Sequence, residues 1–303
     1  MSQAAAEAAR TPESGPVVDG ERAKRRGWGW LLLIPGMLWL AIFFLFPTVQ
    51  LFFTSLYDPS GSYETGYTMT WHFANYVDAI KDTSNLFIRS FGYAAITTFV
   101  CLILGYPLAY AIAFKAGRWK NVMLVLVIAP FFTSFLLRTL AWRSILSDQG
   151  WVTSFLQTVH ILPEDGRLLA TPFAVICGLI YNFLPFMTLP LYASLDKVDY
   201  RLIEAAGDLY SSPFTGFRRV TFPLSLPGVV SGTLLTFIPA SGDYINAEFL
   251  GTPKQYMVGN RIQAAFITEH NYPLAASLSI ILMVVVVLMV IVYVRRAGTE
   301  DLV

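Results

Sequence analysis

The sequence predicts an all-α integral membrane protein of six transmembrane helices, with a short cytoplasmic helix between the fourth and the fifth. Three observations carry that expectation. Only 14% of the 303 residues are charged against 55% in the AVILMFWYC set, and the mean hydropathy is +0.55, whereas soluble domains carry roughly 25% charge. The run AASLSIILMVVVVLMVIVYV, Ala275 to Val294, is twenty residues long without a charge, the length that a bilayer crossing needs. Five more apolar stretches of similar length precede it.

Taken in order, the stretches run from about Trp30 to Phe53, Gly92 to Phe114, Asn121 to Trp142, Leu168 to Ala193, Phe222 to Ser241 and Ala275 to Val294. Pro172, Pro185 and Pro190 interrupt the fourth, and Pro227 and Pro239 the fifth. Kinks are expected there, because neighbouring protein can satisfy the carbonyls that proline frees. Residues 1–29 read as a disordered cytoplasmic tail ending in a basic stop, ERAKRR, and not as a cleaved signal. Residues 30–303 then form the membrane domain. Gly105, Ala109 and Ala113 in the second span, and Gly228 and Gly232 in the fifth, repeat at four-residue spacing. Such stripes let helices approach closely, within the chain or against another subunit.

Orientation follows the basic residues, which are retained on the cytoplasmic side. With the amino terminus inside, inner segments hold fourteen of the 21 lysines and arginines and outer segments seven. Both termini of this multi-pass membrane protein are therefore expected in the cytoplasm. A net charge of +1 argues against a nucleic-acid partner. Cys101 and Cys177 both lie in apolar runs, so no disulfide framework is expected.

The loop over residues 196–221 is the most informative segment. Asp199 can cap a helix whose Leu202, Ala206 and Leu209 or Tyr210 form one apolar stripe, and Pro213 is expected to end it. Two roles are open for such a helix: lying among lipid headgroups, which Arg201, Arg218 and Arg219 suit, or docking into a groove on a soluble partner.

Glu204-Ala205-Ala206, followed by Tyr210, Val220, Phe222 and Pro223, resembles the EAA loop of permease subunits in type I ABC importers. That pattern is EAA, three residues, Gly, nine residues, Ile, one residue, Leu-Pro. The spacing here is intact; Tyr210 stands for the glycine, Val220 for the isoleucine and Phe222 for the leucine. Because Tyr210 would enter a left-handed turn only at a cost of about 1 kcal/mol or more, the helix is expected to continue through it and end near Ser211, Ser212 and Pro213. PFFTSFLLRTLAW from Pro130, FIPASGDYINAEFLG from Phe237 and VGNRIQAAF from Val258 are similar to spermidine/putrescine-type permeases, as is the lead-in from Leu189 to Tyr210.

The resemblance implies a type I importer permease fold that pairs with a second permease, homologous or identical, sits on an ATPase dimer and receives solute from an extracytoplasmic binding protein. It implies coupling roles for Glu204, Ala205, Ala206, Asp208, Leu209, Tyr210 and Pro223, and a polyamine as solute. Related importers carry iron, sulfate or other solutes. No G-x-x-x-x-G-K-S/T stretch is present, so the chain lacks a phosphate cradle. ATP and Mg belong to the partner ATPase, and the chain itself is expected to bind no cofactor.

For a cationic solute, carboxylates and aromatic faces are the natural lining. The candidates are Trp142, Asp243, Tyr244 and Glu248, with a count of about 1.5 Å per residue from Pro223 placing Asp243 roughly 30 Å up, at the outer mouth. The alternatives are interfacial anchoring, a Glu248 contact with the binding protein, and an ion pair from Asp243 to Arg138 or Arg143. His72, His160 and His270 are scattered, with no HExxH and no G-x-S-x-G elbow, so neither a metal nor a catalytic site is expected. An ATP-independent carrier or channel is the rival class. Carriers hold ionisable residues near the midplane, and the midsections of the six spans present none. A scaffold without transport is less consistent with kinked, glycine-bearing helices.

Overall fold

The computed structural model describes residues 32–297 except Tyr63, Glu164, Leu209 and Ser211; the expected tail over residues 1–29 lies outside them. In chain order the helices are α1 (Leu32–Thr54), α2 (Ala74–Lys115), α3 (Gly117–Phe132), α4 (Phe135–Ile145), α5 (Trp151–Thr158) and α6 (Pro172–Leu195). There follow α7 (Tyr200–Asp208), α8 (Pro213–Leu224), α9 (Leu226–Ser241), α10 (Ile245–Leu250), α11 (Val258–Gln263) and α12 (Tyr272–Ala297). Among the described residues β-pairing is confined to two isolated bridges, Tyr57 with Met69 and Ser62 with Gly66. The fold is all-α.

Helices α1, α2, α6 and α12 are each long and apolar enough to cross a bilayer. The third and fifth expected spans are instead bent pairs: α3 meets α4 at 95° and α8 meets α9 at 66°, so the count is four straight crossings, or six with each pair taken as one. Pro130 precedes the first bend, where Thr133 and Ser134 are extended. At the second bend Pro227 has no N–H to offer the carbonyl one turn earlier.

Helix α2 begins eighteen residues before the expected second span, because Asp78, Lys81, Asp82 and Arg89 dilute its hydropathy without interrupting its helical face. That face is Ala79, Thr83, Phe87, Ser90, Ala94, Thr97, Cys101 and Gly105, all buried at close to helical spacing. Its 42 residues make a rod of about 63 Å, longer than a bilayer is thick. Helix α6, where proline kinks are expected, runs as one helix through Pro185 and Pro190, with Thr171 capping it and Pro172 in its first turn.

Helices α2, α6 and α9 form the centre. A Cβ on Gly228 would stand 2.5 Å from Ser194 Cβ and 2.8 Å from Pro190 O, and one on Gly232 2.8 Å from Met187 Sδ. Gly105 meets the same stretch of α6, at Thr188 and Met187. Both small-residue stripes therefore serve packing within the chain. The resulting core joins Cys101, Tyr106 and Ala109 to Met187, Leu191, Leu195 and Val229.

Candidate functional site

The sequence-selected residues fall into two groups at different depths along α6 and α9. The first group surrounds α7. Asp199 Oδ1 accepts from Arg201 N at 3.0 Å, the capping role expected of it. Along the helix Glu204, Ala205 and Asp208 are exposed and Ala206 is half-buried, while Pro223 is exposed on α8. Leu209 lies outside the described residues. The helix ends at Asp208, earlier than expected, and Tyr210 turns the chain at φ +55° with its side chain fully exposed. Tyrosine thus occupies the left-handed conformation that a glycine would take most cheaply. Pro213 does not stop α7; it sits in the first turn of α8, behind a Ser212 cap on Thr215 N.

Helix α8 leads to the 66° bend at Ser225. Tyr106 of α2 braces it: its hydroxyl lies 2.7 Å from Ser225 Oγ, and its ring meets Phe217 at 5.4 Å and Phe222 at 6.0 Å. Ser225 Oγ donates in turn to Phe222 O at 2.9 Å. Helix α8 is thereby joined to α9 through a bend that a third helix fixes.

The second group centres on Asp243. Asn182 lies ten residues from Pro172 and thirteen from Leu195 in α6, about 15 and 20 Å from the two ends. Its Nδ2 donates to Asn246 Oδ1 at 3.1 Å, and Asn246 Nδ2 donates to Asp243 Oδ1 at 3.2 Å. Asn246 N also donates to Asp243 Oδ1, at 2.8 Å. Asp243 is thereby tied through Asn246 to Asn182 of α6. The count from Pro223 assumed a straight helix, whereas the 66° bend leaves only the 16 residues of α9 before the turn that holds Asp243. Gly178 of α6 makes room, since a Cβ there would stand 2.7 Å from Asn246 Oδ1.

Asp243 is 8% exposed and forms no ion pair with Arg138 or Arg143. Arg138 is itself buried on α4, with its guanidinium over the Phe135 ring at 5.5 Å. Two ionisable groups, Asp243 and Arg138, are thus buried. Thr139, next to Arg138, stands 3.5 Å from Asn246 Oδ1.

Glu248 is exposed on α10 and accepts from Asn260 Nδ2 at 3.2 Å; the same amide donates to Tyr244 O at 2.9 Å. Burial, and after it the adjacent Glu248 carboxylate, push the Tyr256 phenol above its ordinary range. Trp142 packs edge-on against Tyr181 of α6 at 5.5 Å, one turn beyond Thr139. Asp243, Tyr244 and Glu248 are brought together; Trp142 reaches them only through Thr139 and α6. Sequence reasoning named Arg138 only as an alternative ion-pair partner of Asp243, and missed Thr139, Asn182, Asn246 and Asn260. Asn182 was detectable as a lone amide in the apolar run LIYNFLPFM, since polar groups at that depth are costly and need partners.

Residues 102–297 match the family described as binding-protein-dependent transport system inner membrane component. The chain belongs to that family. It is 36% identical over 258 residues to the spermidine/putrescine transport system permease protein PotB of Haemophilus influenzae, covering 85% of this chain and 90% of that one. It is 34% identical over 260 residues to PotB of Escherichia coli K12, covering 86% and 94%. With the E. coli inner membrane ABC transporter permease protein YdcU the identity is 28%, covering 89% and 90%. The fold is that of a chain in a bacterial ABC transporter importing the polysaccharide alginate, at a TM-score of 0.66 and 17% identity, covering 93% and 98%. Membership makes the chain a multi-pass inner-membrane transport subunit and not an enzyme. Among the described residues no group of three or more His, Cys, Asp or Glu could hold a metal.

Proposed function

We propose that this chain is the permease subunit through which an ATP-driven importer passes a polyamine, with α7 receiving the stroke of a separate ATPase dimer. The observation that carries the reading is the placement of Glu204-Ala205-Ala206. They stand on an exposed helix directly ahead of the braced bend into α9, and α9 ends beside the buried Asp243 centre. Motion of α7 has a rigid route to that centre, as a two-state element requires.

The identity to permeases named for spermidine and putrescine supports an amine solute. So do the carboxylates Asp243 and Glu248, since an amine that loses hydration needs charge in return. ATP and Mg reside on the ATPase, a second permease completes the path, and a binding protein delivers solute from outside. The distribution of the 21 basic residues supports placing α7 and both termini in the cytoplasm.

The test is uptake of labelled spermidine by vesicles holding the chain with its ATPase and second permease. Uptake must stop when ATP hydrolysis is blocked; persistence would establish an ATP-independent carrier instead. Asp243→Asn keeps an acceptor for Asn246 but removes the charge, and it is expected to lower spermidine uptake at least tenfold. Unchanged uptake and unchanged solute-stimulated ATP hydrolysis would remove Asp243 from the path.

A further inference from the structure

Two buried charges lie on touching elements without meeting. Arg138 on α4 is 9% exposed, and its Nε and Nη1 are buried and donate to nothing among the described residues. Asp243, at the turn into α10, receives both Asn246 hydrogen bonds on Oδ1. Helix α10 packs on α4. A third group is also unsatisfied: Asn182 Oδ1 is buried without a donor. Donors without acceptors and an acceptor without a donor thus flank one network, to which Thr139 already connects α4 at 3.4 Å from Asn182 Nδ2.

A buried charge without its counter-charge is strongly unfavourable, and orphaned polar groups in a native interior call for a state that uses them. Arginine suits this one, because its planar fork can engage a carboxylate and still offer a further donor. The chain also supplies the means of movement. Helix α4 joins α3 through the extended residues Thr133 and Ser134 at a 95° bend, a short non-helical link that can absorb a hinge rotation.

We propose that Arg138 pairs with Asp243 in the opposite state of the transport cycle, latching α4 to the α9–α10 turn while Asn182 Oδ1 accepts a remaining guanidinium N–H. The inference rests on the alternating-access reading above, though not on the identity of the solute.

The test uses the whole reconstituted complex. Arg138→Cys and Asp243→Cys are introduced together, with Cys101 and Cys177 replaced by alanine, and treated with a short bis-methanethiosulfonate crosslinker in nucleotide-free and vanadate-trapped preparations. Crosslinking at least fivefold higher in one state is expected. Equal yields in both states, or none in either, would overturn the latch. Charge removal gives a second reading that tolerates a folding defect in the single variants, because the double variant leaves neither charge stranded. Arg138→Gln and Asp243→Asn should each shift the fraction of complex trapped by vanadate without solute at least fivefold, while the double variant returns to within about twofold of the parent. A double variant no better than the worse single overturns the pairing and leaves Asp243 acting on solute. State-dependent crosslinking alongside a parent complex that takes up no spermidine would refute the solute assignment and leave the latch standing.

Discussion

Tyr210 holds φ +55° at the end of α7, a conformation that costs a side chain about 1 kcal/mol relative to glycine. Tyr210→Gly is therefore expected to preserve ATP-driven uptake and to tighten the turn. Tyr210→Ile, β-branched and ill suited to positive φ, should lower uptake several-fold at unchanged expression; equal uptake by the two variants would show that the turn tolerates any side chain. The motif spacing in the sequence pointed to this residue but not to its backbone, because local propensity argued for continuing the helix and the tertiary path of the loop prevailed. Asp243 teaches the converse. Its chemistry was legible and its burial was not, since it is enclosed by contacts with Asn246 and, through Asn246, with Asn182 of another helix.

Helices were legible where apolar runs are long, as in α1, α12 and, despite its prolines, α6, and less so where a span is assembled from two pieces. No window of hydropathy registers a 95° or 66° bend, because a bend changes direction and not composition. The amphipathic start of α2 was missed for a related reason: Asp78, Lys81 and Asp82 are exposed and Arg89 is half-buried against the Tyr256 carbonyl, while the buried stripe continues in register beside them. The bend at Ser225 is supported by one buried hydroxyl contact, so Tyr106→Phe should cost about 1 kcal/mol, read as a lower unfolding temperature of the purified complex with weaker solute stimulation of ATP hydrolysis. Gly228→Val drives a side chain into Ser194 and the Pro190 carbonyl. A loss of about 3 kcal/mol or more is expected, visible as failure to accumulate folded subunit; normal accumulation would mean that α6 and α9 pack more loosely than this.

Helix α7 begins five residues after α6 ends at Leu195, and Asn182 of the buried polar centre stands thirteen residues back along α6. Under the proposed coupling, Glu204→Lys reverses a charge on the exposed helix without touching the core, so the subunit should insert and assemble normally while ATP-driven uptake falls at least tenfold; normal uptake would place the motor contact elsewhere. The all-helical membrane class was readable from composition, and the loop that resembles the EAA motif from its spacing. The centre was not, because it exists only where α4, α6 and α10 converge. Pro223 and Pro227 flank Ser225, so the elbow is written into the covalent backbone and needs no partner to shape it. The angle between α8 and α9 is thus set within the chain, and a partner that docks on α7 as proposed would meet an arm with little ordering entropy left to lose.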